Sequence, residues 1–434
     1  MMTRLFIVTT LTLLMSISPR VFVMVTVVLG SVLFSRLQYL LGINDFEGNM
    51  LRNIATNCAG VLLVVLGALT GRRLYIPRPL RPYAVLVVIA ATGILYAINT
   101  TEAVRFVSIL TIPLLVFLVA RLHFQAKDFL WTFHALVAVG VVQLFAGAME
   151  YFLVPGERVR GLHDVPAVYG WSLSIILMVA SYLAAKESRR NGPVLLFTGA
   201  AAFVIVLTGS RMALVLFPLA LWYLVLELPL RRLAVFSSVL VAMGVAVWAL
   251  SLQIEQGTAR VGVEVSSSDV EFVGEAGGTV AWRFLLWERL LYAWTERPLF
   301  GYGPGADYAV SLAGGLTEDL NYSETSPLNT HNEYIKLLFN HGIVGLALFL
   351  LFVFRLLRLP HGETGGGDRS LRRLIRFLGI SWLVFSLSDN GLSYHGQTSI
   401  VFLACAFLWS TTADECPSGS VNSGKRPSVS LPSS

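Results

Sequence analysis

A chain built from many long apolar runs, parted by short arginine-bearing loops, has few folds open to it. Such runs lie at about 5–18, 21–41, 54–70, 83–99, 103–120, 129–153, 165–185, 194–208, 211–226, 233–252, 334–357, 374–388 and 396–411. In hydrocarbon every backbone amide and carbonyl needs a partner within its own segment, so such runs fold as helices. A span takes about 20 residues, and several of these runs are shorter, so the expected count is twelve or thirteen. With 55% hydrophobic residues, 13% charged ones and a mean hydropathy of +0.70, the chain is too apolar for a soluble fold. The expected class is an all-α, polytopic integral membrane protein of about 12 transmembrane helices.

The formal charge of +6 does not point to a nucleic acid, because the basic residues fall between the apolar runs. They alternate. Loops carrying Arg72 and Arg73, Arg121 and Lys127, Lys186 to Arg190, Arg231 and Arg232, and Arg355 to Arg376 are expected on the cytoplasmic side. Every second connection then faces outward, including the single long hydrophilic insertion. The chain divides into N-terminal transmembrane helices over 1–252, a large outward loop over 253–330, C-terminal transmembrane helices over 331–411, and a Ser-, Pro- and Gly-rich tail over 412–434, expected to be a disordered cytoplasmic end. The first run resembles a signal-peptide core, but no small-x-small pattern follows it, so it is expected in the mature protein. Cys58, Cys405 and Cys416 suggest neither a disulfide nor a metal site.

The chemical centre is expected where the outward loop becomes a span, at Thr330-His331-Asn332-Glu333. Thr330 followed three residues later by Glu333 has the pattern of a capping box, predicting a helix that starts at His331. On that helix His331, Ile335, Leu338, Gly342 and Gly345 share one face, and the two glycines would let a neighbouring helix pack closely. The positive end of the helix dipole disfavours an imidazolium, leaving a neutral ring able to act as a base. For a lone histidine the ordinary alternative is an interfacial side chain at a helix end.

Within the long insertion, the early acidic part (Glu264, Asp269, Glu271, Glu275) reads as mobile, whereas 281–296 has helical periodicity. That helix gathers Arg283, Leu286, Trp287, Leu290 and Trp294 on one face. Arg283 there either stacks on Trp287 at the interface or is held to meet a phosphate. The following Arg297-Pro298-Leu299-Phe300-Gly301-Tyr302-Gly303-Pro304-Gly305 is a glycine-dense loop in which backbone amides can approach an anion, although it lacks the ending of a P-loop.

Topology also places Arg158, Arg160, His163, Arg211, Arg289 and Arg297 outward, against the usual bias. Arg211 opens an apolar helix, where a cation meets the positive dipole end unless an anion is bound. Forked guanidinium groups suit a diphosphate, and outer-leaflet headgroups are the competing use. His331 and His341 are ten residues apart, roughly 15 Å along a helix, and do not share a metal. His134 reads as a packing residue within its run, and His395 faces outward beside Asp389 and Asn390 with its role open. No metal and no cofactor are expected.

His331-Asn332, nine residues, then Gly342-Ile343-Val344-Gly345 resembles the His-(Asn/Ser/Gln)-x9-Gly-x2-(Gly/Thr/Tyr) pattern of the bacterial O-antigen ligase and O-antigen polymerase superfamily. The Ser210-Arg211 turn and the segment Arg297 to Gly303 are also similar, and the resemblance is strongest over 195–358. It implies that His331 is the base, with Asn332, Gly342 and Gly345 supporting it, and that Arg211, Arg283, Arg160 and Arg289 are candidates for binding the donor diphosphate. The loop pattern Arg-x3-Leu of the family is absent: Arg283 is followed by Trp287 and Arg289 by Ala293.

The resemblance further implies a multi-pass protein of the cytoplasmic (inner) membrane whose active site faces the periplasm, the long insertion being a periplasmic loop. Its activity would be metal-independent, inverting glycosyl transfer from an undecaprenyl-diphosphate-linked glycan, without nucleic acid as a partner. Lipid A-core as acceptor makes it an O-antigen ligase. Another lipid-linked glycan makes it an O-antigen or exopolysaccharide polymerase, and a protein hydroxyl makes it an O-oligosaccharyltransferase. A transporter is the reading from a different class, and it requires ionisable residues at mid-depth in the membrane, where His134 is the clearest polar residue.

Overall fold

The computed structural model describes residues 2–30, 45–154, 158–163, 165–187, 192–228, 275–307, 330–359 and 368–413. The early acidic part of the insertion, most of the tenth apolar run and the C-terminal tail lie outside the described residues, as do the later half of the second run and residues 308–329. Among the described residues all regular structure is helical. In chain order the helices are α1 (Met2–Ser16), α2 (Pro19–Val23, continuing through a wider turn Met24–Leu29), α3 (Asp45–Leu69), α4 (Arg81–Gly93), α5 (Thr100–His123), α6 (Ala126–Leu153) and α7 (Pro166–Lys186). They are followed by α8 (Gly192–Leu207), α9 (Arg211–Glu227), α10 (Glu275–Trp294), α11 (Glu333–Leu357), α12 (Arg369–Ser386) and α13 (His395–Ala413).

Five of these, α3, α5, α6, α7 and α11, are long and apolar enough to cross a membrane, and a sixth crossing is possible if the bent pair α1 and α2 is one span. That pair turns by 119° between Ser16 and Pro19, and the later half of the second apolar run lies outside the described residues. A proline at the start of α2 and the Ser18 cap, whose hydroxyl accepts from the Val21 amide at 3.1 Å, make the break. The fourth, eighth and ninth runs become helices of 13, 16 and 17 residues, below the roughly 20 of a full span. The five or six qualifying helices among the described residues are thus fewer than the twelve or thirteen expected.

The bundle is organised around α7. All its residues from Val168 to Ala184 are buried, because α6, α9 and α12 surround it. The α7 and α9 backbones come closest at Gly170, where an added β-carbon would run into Ala213. A helix that is apolar all round belongs in such a place. Elsewhere α5 packs on α3 and α13, and α11 packs on α4, α12 and α10. Large aromatic rings fill the contacts: Trp171 stacks on Phe385 at 4.1 Å, and Phe129 on Phe407 at 4.8 Å.

His134, the clearest polar residue for the transporter reading, contacts a carboxylate at the end of the neighbouring helix. His134 lies eight residues into α6, and its Nε2 is 2.9 Å from Glu187 Oε1, just beyond the end of α7. Its ring nitrogens thus face the Glu187 carboxylate and the Leu130 carbonyl, and the expectation of a simple packing residue is corrected. At the same end Tyr182 and Lys186 both donate to Asp368 Oδ2, at 2.8 and 2.9 Å. Burial would raise the Asp368 carboxyl, but these two donors and the Leu371 amide hold it below its ordinary value.

Candidate active site

The helix carrying the His-Asn pattern does not start where its spacing predicts. Helix α11 begins at Glu333 and its cap is Asn332, whose Oδ1 accepts from the Tyr334 and Ile335 amides at 3.0 and 3.2 Å. Glu333 does not reach back to Thr330; its Oε2 accepts from the Leu392 amide at 2.9 Å. His331 therefore stands outside the helix, with a left-handed backbone (φ 47°). Among the described residues it is the one non-glycine residue with a positive φ. That conformation costs an L-residue on the order of 1–2 kcal/mol, so its neighbours must hold it.

They do. Before it, the Thr330 carbonyl accepts from the Trp287 indole N–H at 2.7 Å, and the Thr330 hydroxyl donates to Asp307 Oδ2 at 2.8 Å. After it, Asn332 Nδ2 donates to the Leu387 carbonyl at 3.2 Å while its other end caps α11. The shared helical face of His331 with Gly342 and Gly345 is overturned by the same geometry.

Gly342 breaks α11, with φ 62° and ψ −167° inside what is otherwise a helix of 25 residues. Carbonyls and amides freed by the break pair with the glycine-dense loop. Tyr302 and Gly303 amides donate to Phe339 and Asn340 carbonyls at 3.0 and 2.9 Å, and Ile343 and Val344 amides donate to Pro298 and Leu299 carbonyls at 2.9 and 3.3 Å. A β-carbon on Gly342 would run into the Leu299 carbonyl, and one on Gly301 into the Phe339 carbonyl. Backbone meets backbone here, which only glycine permits. The expectation that this loop offers its amides to an anion is corrected for Gly301, Tyr302 and Gly303, whose amides are spent on carbonyls. Gly345 makes room for the His341 side chain one turn back.

Opposite His331 lies Asp389, a buried carboxylate in the turn between α12 and α13. Its Oδ1 faces His331 Nδ1 at 3.5 Å, too far for a hydrogen bond, and accepts from the Asn390 amide at 2.8 Å and the Tyr394 hydroxyl at 3.3 Å. Four groups of α11 and its cap tie that turn down: Asn332 to Leu387, Tyr334 to the Leu383 carbonyl at 2.8 Å, Glu333 to Leu392, and Lys336 to the Ser393 hydroxyl at 3.3 Å. Arg283, on α10, feels the charge of Asp389. Burial lowers its guanidinium below the ordinary value, while the charge of Asp389 acts in the opposite direction.

Helix α10 lies against α11 through the face read from its sequence: Leu286 and Leu290 are buried with Phe339 and Ala306, and Trp294, Ile335 and Tyr302 pack around them. Arg283 is half-buried on that side, whereas Arg289 is exposed. Arg297 is 4.8 Å from the Tyr302 ring centre, a cation–π arrangement.

Arg211 is the first residue of α9, exposed, behind the cap Ser210. It belongs to the His331 end of the bundle by a chain of contacts. Ala213 abuts Gly170; the next residue, Trp171, is edge-on to Tyr394 at 6.4 Å; and Tyr394 donates to Asp389. The loop bearing Arg160 joins the same corner, the Val159 amide donating to the Leu207 carbonyl at 3.3 Å. Glu150 fixes that loop by accepting from the Arg160 and Gly161 amides at 2.8 and 2.6 Å. His163 is buried beside Tyr169 and Gln143, and burial holds its ring down to about 3.

Among the described residues no group of three or more His, Cys, Asp or Glu side chains could hold a metal ion. A histidine facing a buried carboxylate, with arginines on adjoining elements, is an arrangement for proton transfer beside an anion. Residues 195–350 match the family model described as O-antigen ligase. Over that stretch the chain is similar to O-antigen ligases. No curated protein matches it.

The matched segment takes in most of α8, all of α9 and α10, the glycine loop and the break in α11, and so contains Arg211, Arg283, Arg289, His331, Asn332, Gly342 and Gly345. Arg160 and Asp389 lie outside it. Sequence reasoning left Asp389 without a role and passed over Asp307, Asn340 and the indole of Trp287. Asp389 and Asn390 in a short polar turn were the one available signal, but nothing in the sequence pairs that turn with a histidine 58 residues away.

Proposed function

We propose that the protein is an inverting membrane glycosyltransferase that moves a glycan from undecaprenyl diphosphate to an acceptor hydroxyl, and that its reaction is O-antigen ligation to lipid A-core. The observation carrying this reading is His331 held outside its helix with Nδ1 toward buried Asp389. With Nδ1 directed at the carboxylate, Nε2 is the nitrogen that takes the acceptor proton. The acceptor oxygen then attacks the anomeric carbon from the side opposite the diphosphate, and the carbon–oxygen bond to phosphate breaks with its electron pair leaving on the diphosphate. Arg283 and Arg211 meet that charge, with Arg160 on the loop that adjoins the start of α9 and exposed Arg289 on α10. Asp389 faces the imidazolium as it forms. Proton transfer of this kind contributes roughly 10² to 10⁴ in rate.

On this reading the His331 end faces the periplasm, the insertion 253–330 is a periplasmic loop, and the protein resides in the inner membrane. Polymerisation onto another lipid-linked glycan uses the same chemistry with a different acceptor, and the His-Asn-x9-Gly spacing favours the ligase. The test is to delete the gene and complement with wild type, His331→Ala and Arg211→Ala, resolving surface glycans alongside extracted lipid-linked glycan. Long polymer retained on undecaprenyl diphosphate with bare lipid A-core supports the ligase. Core bearing one repeat supports a polymerase. Full complementation by His331→Ala removes the general-base reading.

A further inference from the structure

The left-handed backbone of His331 needs something that sets it, and the residue before it, Thr330, is bonded to the buried carboxylate of Asp307. This carboxylate, 3% exposed, sits where three segments meet: the end of the glycine loop, Thr330 just ahead of α11, and Asn340, two residues before the break in α11. Each of its polar atoms has a separate task. Oδ2 accepts from the Thr330 hydroxyl at 2.8 Å, Oδ1 accepts from Asn340 Nδ2 at 2.8 Å, and the Asp307 amide donates to Asn340 Oδ1 at 2.9 Å.

The pairing with Asn340 belongs to the broken helix and would hold the loop by itself. The bond to Thr330 holds nothing of the loop; it holds the residue preceding His331. Thr330 is itself 1% exposed, so its hydroxyl is not replaceable by bulk water. Together with the Trp287 indole on the Thr330 carbonyl, it fixes both the position and the rotation of the peptide leading into His331. From this we infer that Asp307, acting through Thr330, is a positioning residue that sets the imidazole against Asp389 and the acceptor. It touches no reacting atom. The inference rests on the general-base reading of His331, and it adds that the left-handed backbone is maintained by a buried charge 24 residues upstream.

Thr330→Val separates this role from loop stability, because it removes the hydroxyl in place and leaves both contacts between Asp307 and Asn340 intact. The assay uses purified full-length protein in liposomes, supplied with the undecaprenyl-diphosphate glycan and the total lipid extract that accumulate in a host deletion strain. Thr330→Val is expected to lower kcat by about 10- to 100-fold, the loss that a displacement near 1 Å produces, with the KM for the lipid-linked donor unchanged. Thr330→Ser, which keeps the donor hydroxyl, is expected to restore kcat. Should Thr330→Val fail to accumulate, Trp287→Phe removes the other anchor from the same peptide and is expected to give the same loss in kcat alone.

Wild-type kcat in Thr330→Val, or a loss that Thr330→Ser does not restore, overturns the inference. So does a change confined to KM. His331→Ala is run beside them: if it retains full transfer, the general-base reading fails independently, whereas an inactive His331→Ala with a fully active Thr330→Val defeats the positioning role alone.

Discussion

His331 Nδ1 lies 3.5 Å from Asp389 Oδ1, joining the residue before α11 to the turn before α13. The carboxylate is 3% exposed and already receives the Asn390 amide and the Tyr394 hydroxyl, so its position is set before any substrate arrives. Asp389→Asn preserves the shape and removes the charge that faces the ring. Transfer by purified protein is expected to fall on the order of 10²-fold or more, with unchanged thermal stability, and wild-type rates would show the carboxylate to be a structural group.

Arg283 and Arg211 approach the same end from α10 and α9, and differ in setting: one is half-buried near Asp389, the other exposed at a helix start. A lysine at either place keeps the charge but loses the forked pair of donors. Arg283→Lys is expected to raise the donor KM and lower kcat together, because charge on the leaving diphosphate develops through the transition state. Equal kinetics for lysine and arginine would assign these residues to nonspecific headgroup contact.

The break in α11 predicts an unequal response among its glycines. Gly342→Ala puts a β-carbon into the Leu299 carbonyl and forces an L-residue to φ 62°, and is expected to cost about 1–3 kcal/mol or more. Gly199→Ala in α8 meets nothing within 4 Å and serves as the control. Thermal midpoints in detergent decide it: a tolerated Gly342→Ala would mean that α11 runs straight.

Asn332 caps α11 and grips the Leu387 carbonyl with the same amide group. Asn332→Ala is expected to cost about 0.5–2 kcal/mol from the cap. Asn332→Asp keeps the cap but loses the Nδ2 donor to Leu387, so it is expected to recover stability and not full activity. Matching recovery of both would show that the tie to Leu387 is dispensable.

A pH effect follows from His163, buried against Tyr169 and near Gln143 with Glu150 holding the adjoining turn. Burial holds its ring at about 3, whereas the unfolded chain titrates near the ordinary value of about 6.5. Between those values the unfolded state binds more protons, so the contribution of His163 is complete above about pH 6.5 and declines as pH falls toward 3. Thermal midpoints taken across that window are expected to drop less steeply in His163→Gln than in wild type, and parallel curves would remove His163 from the account.

What was legible locally is what depends on periodicity and composition. The face of α10 that presents Arg283, Leu286, Leu290 and Trp294 follows from 3.6-residue spacing, and the structure buries it against Phe339. The cap of α11 was misplaced by two residues, because Thr330 with Glu333 satisfies the capping-box pattern as well as Asn332 satisfies a simple cap. The competition was settled by Asp307 and Leu392, which take the Thr330 hydroxyl and the Glu333 carboxylate away from the helix start.

By itself, then, the sequence determined an apolar helical protein, the histidine and arginines at its polar boundaries, and the need for glycine at 342. These depend on local spacing, on the insolubility of an unpaired backbone in hydrocarbon, and on residue type. Only the tertiary structure decided that Gly342 is a break and not a packing surface, that His331 stands outside the helix, and that Asp389 faces it. Each of those depends on which distant segment supplies the missing hydrogen-bond partner, and that choice is made by the packing of α10, α11 and α12 together, where no sequence periodicity records it.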